Sequence, residues 1–134
     1  MIYTECKVTI KKHEAKIDNK IIFYRGDKNV EIQFEILESV YKQYKLEGTN
    51  VIDNLGASYG QLLIQKPDGT AAISDIAPTK DGKVIFILPE EMINEVGEVG
   101  EYTFQIRLYD ESQSSRVTLP PVAQGIVVQE PISI

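Results

Sequence analysis

Twenty acidic side chains, one histidine and one cysteine bound the chemistry open to this 134-residue chain. Two facing carboxylates could serve as acid and base in a sugar cleft. Glu90 and Glu91, however, are neighbours on a predicted helix, where successive side chains diverge by about 100°. Glu31 and Glu35 share one face of a predicted strand at a spacing too long for a tight dyad. Asp68, Asp81 and Asp110-Glu111 fall in turn-rich stretches and read as solvated surface acids. No segment alternates Asp or Asn ligands around a glycine before a closing glutamate, as a calcium loop does. A lone histidine, His13, rules out a metal centre built on imidazoles. A lone cysteine, Cys6, rules out an internal disulfide or a thiolate metal site within one chain. There is no Gly-x-Ser-x-Gly elbow and no glycine-rich loop ahead of a long helix. These residue types predict no catalytic residue, no cofactor and no metal.

Two other features could carry recognition. Arg25-Gly26-Asp27 spells the tripeptide that adhesion proteins present to integrins. It lies between the apolar alternation ending at Tyr24 and the one beginning at Val30, so glycine, aspartate and asparagine there supply turn chemistry. The turn is the stronger reading. Tyr41 and Tyr44, in "SVYKQYKLEGTN" beside Lys42 and Lys45, form a candidate contact patch for a protein or a sugar. A loop folding its own tyrosines onto the body explains them equally well. The chain lacks tryptophan, the commonest sugar platform, and its formal charge of −6 with a pI near 4.8 argues against nucleic acid.

The elements that must hold these residues announce themselves by alternation. Val30 to Ile36 and Tyr102 to Leu108 place apolar residues at every second position, as strands with one wet face do. Shorter strands are predicted over Lys7 to Lys11, Ile21 to Tyr24, Gln61 to Gln65, Lys83 to Leu88, Arg116 to Leu119 and Gly125 to Gln129. The run Val84 to Leu88 predicts a strand covered on both faces. Lys66-Pro67-Asp68-Gly69-Thr70 and Lys80-Asp81-Gly82-Lys83 are turns, and Tyr59-Gly60 is read the same way. Pro89, Glu90 and Glu91 ahead of Gly97 predict one short helix. Val117 and Leu119 before Pro120-Pro121 suggest a sheet edge guarded against further pairing. An all-β antiparallel sandwich in one domain, residues 1–134, is the expectation. With no signal-like start and no apolar run of about 18 residues, a soluble protein made in a reducing cytoplasm is expected.

The order of these segments resembles a known family. "FYRGDKNVEIQFEIL", then "NLGASYGQLLIQKPDGT", then "DGKVIFILPEEMINEVGEVGEYTFQIRLYD", resemble the N-terminal domain of phage baseplate upper proteins (the BppU type of siphophage tails), from about Ile17 to Val128. The resemblance implies an Ig-like β-sandwich that acts as a structural assembly module of the virion. Such domains attach to the distal tail hub, work in threes or larger assemblies, and carry receptor-binding proteins further along the chain. They supply no catalytic residue. The stretch Tyr41 to Asn50 is longer than the family's connection and reads as a candidate insertion with its own partner. The alternative, from a different class, is a carbohydrate-binding module that touches the host wall through Tyr41 and Tyr44.

Overall fold

A computed structural model describes residues 3–42 and 45–132. Twelve strands and two helices follow in the order β1 (Tyr3–Lys11), β2 (Glu14–Ile17), β3 (Ile21–Tyr24), β4 (Val30–Lys42), β5 (Lys45–Asn50), α1 (Val51–Leu55), β6 (Tyr59–Gln65), β7 (Ala71–Ile73), β8 (Ala77–Lys80), β9 (Lys83–Leu88), α2 (Glu90–Val96), β10 (Gly100–Tyr109), β11 (Arg116–Thr118) and β12 (Val122–Gln129). The strands join into one sheet with the path β2-β1-β4-β9-β8-β6-β10-β12-β3, while β5 borders β4, β7 borders β6 and β11 borders β10.

The sheet curls at β8. Ala77 and Pro78 pair with β6, and Thr79 and Lys80 pair with β9. One short strand therefore turns the corner between a first layer, β2-β1-β4-β9, and a second, β6-β10-β12-β3. The fold is all-β and sandwich-like. It is mixed rather than wholly antiparallel, because β1 runs parallel to β4 and β3 parallel to β12. The Arg25-Gly26-Asp27 turn is the reason: it carries the chain from β3 in one layer to β4 in the other, so β4 returns beside β1 in the same direction. Parallel neighbours need such a crossover.

The alternation read from the sequence sets the core. Ile32, Phe34 and Ile36 of β4 are fully buried, as are Phe104 of β10 and Phe86 of β9 within 1%. The Phe34 ring lies edge-on to Phe86 with centroids 5.7 Å apart and meets Phe104 of the opposite layer at 5.5 Å. Such aromatic pairs contribute about 0.5–1.5 kcal/mol beyond the area they bury. One continuous cluster runs from Cys6 to Val128.

Strand β9 departs from expectation. Val84, Phe86 and Leu88 point inward, but Ile85 is only half-buried and Ile87 is 51% exposed. Its outer face is therefore only partly covered, most openly at Ile87. The predicted helix forms as α2, entered through Pro89 with φ −73° and burying Met92, Ile93 and Val96 beside β7. A second helix, α1, was not predicted. Asn50 caps it, its Oδ1 accepting from the Asp53 N–H at 3.1 Å, and Gly56 ends it in the left-handed region with φ 64°.

Candidate interaction surface

The residues singled out by the sequence do not converge. Tyr41 lies in β4, paired in register with Leu46 of β5, while its side chain and the whole of Tyr44 lie outside the described residues. The stretch read as an insertion is the β4–β5 hairpin, which continues directly into α1. Glu90 and Glu91 occupy the first turn of α2. His13 lies in the turn joining β1 to β2, with φ 67°. Tyr24 is 42% exposed on β3, whereas Tyr102 is buried. The Tyr102 hydroxyl donates to the Glu98 carbonyl.

The Arg25-Gly26-Asp27 turn spends its charges internally. The Asp27 carboxylate accepts from the Tyr24 N–H at 3.0 Å, the Asp27 N–H donates to the Tyr24 carbonyl at 3.0 Å, and Gly26 takes φ 92°. Arg25 reaches Glu130 at 3.3 Å, beyond the end of β12. These bonds tie the end of β3 to itself and to its neighbour.

Two turn carboxylates are tuned in the same structural way. Hydrogen bonds from the Thr70 hydroxyl and N–H hold Asp68 below the usual carboxylate range. The Ser115 N–H, helped by the Ser114 and Ser112 hydroxyls, does the same for Asp110. Such groups stay ionised and are poor general acids. Burial pushes the Cys6 thiol the other way, up to about 12, with the nearby Asp18 charge adding to the effect.

The two margins of the curled sheet differ. At β8 the layers are joined by hydrogen bonds, and Gly60 of β6 lets the backbone pass close to β9. A side chain there would place Cβ 2.6 Å from Val84 Cγ2. Tyr59-Gly60 is therefore a strand position of close approach, not the turn its glycine suggested. At the other margin, among the described residues, β2 pairs only with β1 and β3 only with β12. A groove of about 610 Å³ lies between β2 and the first half of β12, with Ala15, Ile17 and Val122 on its walls.

The outer faces of the layers carry rows of side chains set by the register. On the first layer, the register sets Tyr3, Glu31 and Ile87 in one row across β1, β4 and β9. Tyr3 is 49% exposed. On the second layer, the register sets Gln61, Arg107 and Thr118 in a row across β6, β10 and β11. The neighbouring polar side chains are fixed: Gln61 accepts from the Tyr109 hydroxyl at 3.0 Å and donates to the Ser74 carbonyl at 3.1 Å, and Gln105 donates to the Leu119 carbonyl at 2.8 Å. Sequence reading missed Arg107 because it occupied one of several polar positions on a wet strand face. Its signal was only that it is the sole charged residue in Tyr102 to Leu108.

Comparison with known proteins places the fold. No family model matches the chain, and no curated protein does. Among solved structures, the N-terminal domain of phage TP901-1 ORF48 superposes with a TM-score of 0.58 at 11% identity, over 95% of this chain and 99% of that one. The likeness covers nearly the whole of both, so the two chains share one architecture.

Proposed function

We propose that this chain is a non-enzymatic structural module of a phage tail baseplate or tail tip, folded as one domain, that helps anchor receptor-binding proteins to the distal hub. The observation that carries this reading is the near end-to-end likeness to a domain of a phage protein, together with the ordered segments that resemble baseplate upper proteins. The physical character of the surface agrees. Its ionised turn carboxylates serve turns, its tripeptide serves a strand end, and what it offers outward is flat sheet face and strand edge, the material of protein docking. In this reading the domain acts within the virion, in several copies, after synthesis in the host cytoplasm.

Gold-labelled antibody against the domain, applied to tailed particles, tests the proposal under the electron microscope. Label at the tail tip is expected; bare particles with the domain free in the lysate would overturn it. Titration against isolated host cell walls addresses the sugar-binding alternative through Tyr41 and Tyr44. Saturable binding lost on Y41A/Y44A would favour that alternative over a purely assembling role.

A further inference from the structure

Arg107 stands out on the second layer. It is half-buried at the centre of a sheet face, its Nε is buried without a hydrogen-bond partner, and it joins no ion pair among the described residues. A guanidinium remains charged at any ordinary pH, so removing it partly from water without a counter-charge is costly. The rows on either side contain no acid to answer it: Gln105 pairs with Leu63, and Tyr109 with Tyr59 and Arg116. Leu63 is itself flanked by Ile73, which is 50% exposed. The result is a positive centre between an aliphatic margin and an aromatic one.

The first layer carries the opposite arrangement. Glu31 is half-buried at the centre of its row, takes a hydrogen bond from Gln33 Nε2 at 3.0 Å, and joins no ion pair among the described residues. Its neighbours across the strands are Tyr3 and Ile87, both about half exposed. One face thus has a carboxylate between Tyr3 and Ile87, and the other a guanidinium between Gln61 and Thr118, with Leu63 and Tyr59 in the rows beyond. A single molecule cannot bring them together, because they lie on opposite outer faces of the sandwich.

We infer that the second-layer face around Arg107 docks on the first-layer face around Glu31 of a second copy of this chain, and that the Arg107–Glu31 ion pair sets the register. The contact is head-to-tail, so successive copies close into a ring or extend as a stack. It supplies a carboxylate to the guanidinium's fork and covers the aliphatic side chains that β9 and β7 leave outside. The inference deepens the assembly reading above by naming a surface and its occupant.

Sedimentation velocity over a concentration series tests it. The wild-type chain is expected to self-associate, and R107E and E31R each to weaken association by tenfold or more, since each sets like charges against each other. Mixing the two variants is expected to restore it. The glutamate introduced at position 107 of one variant then meets the arginine introduced at position 31 of the other, and the untouched Glu31 meets the untouched Arg107. Recovery on mixing also shows that both variants are folded. A wild-type chain that stays monomeric at the highest concentration, or variants that remain apart when mixed, would overturn the contact. Tail-tip labelling is independent of this result, so the two readings can fail separately.

Discussion

The two margins of the sheet solve the same problem with different means. At the closed margin, β8 belongs to both layers, and the β8–β9 hairpin turns on Asp81 and Gly82, both at positive φ (52° and 74°). Asp-Gly suits a two-residue turn whose twist matches the strands. The Asn50 side chain then caps α1 with its oxygen and donates Nδ2 to the Gly82 carbonyl at 3.0 Å, so one residue locks helix and hairpin together. At the open margin, the β1–β2 hairpin turns on Lys12 and His13, also at positive φ (51° and 67°) but without a glycine or asparagine. There the link is the Asp18 carboxylate, which accepts from the Lys7 and Asn19 N–H groups, each at 3.0 Å. The closed margin is built from residues suited to their geometry. The open one tolerates positive φ at residues with side chains and leaves a groove, which teaches that the two margins are held by different local devices.

Substitutions can break or sharpen that contrast. G60A at the closed margin is expected to cost the most, about 3 kcal/mol in a urea melt, because its Cβ would overlap the stiff Val84 side chain and press on the Arg107 carbonyl. G82A comes next at about 2 kcal/mol, since an alanine there is strained and would sit 2.7 Å from Asn50 Nδ2. At the open margin, D18A should cost only about 1 kcal/mol, read in the same melt, for two exposed hydrogen bonds. H13G should reverse the sign and raise the melting temperature, a gain of about 0.5 kcal/mol left after the added freedom of the unfolded chain.

Cys6 of β1, in register with Phe34 of β4 and buried in the core, offers a chemical probe of the first layer. A buried thiol whose pKa stands near 12, against an ordinary value of 9.0, is expected to resist a thiol reagent at pH 8 in the native protein and to react fully in denaturant. The unfolded thiol ionises first, so stability is complete below about pH 9 and declines as pH rises from 9 towards 12. A melt series across that window, compared with C6A, isolates the contribution.

Much of the architecture was legible because burial imposes a strict period of two on long strands. Val30 to Ile36 and Tyr102 to Leu108 were found for that reason, and Ile21 to Tyr24 and Lys83 to Leu88 have the predicted bounds. Strands β2, β7 and β8 are no longer than β3 but carry mostly small or polar side chains, so they show no apolar period and are defined by pairing alone. Helix α1 did leave a trace, since Asn50 and Gly56 stand where a cap and a stop belong. The outer faces were legible as wet but not as complementary. A sequence shows that Glu31 and Arg107 are polar, but which charged groups lack partners emerges only once register brings their neighbours alongside.

The parallel pair of β3 with β12 has a consequence for how the protein comes to be folded. Ile21 lies opposite Ile126, so β3 must wait for a strand made much later in synthesis. Loop closure over such a separation slows folding. Until β12 emerges from the ribosome, the apolar face of β3, including the fully buried Phe23, has no permanent cover. The hairpins around β9 and β10 can assemble during synthesis, but the core is sealed only once β12 has followed them.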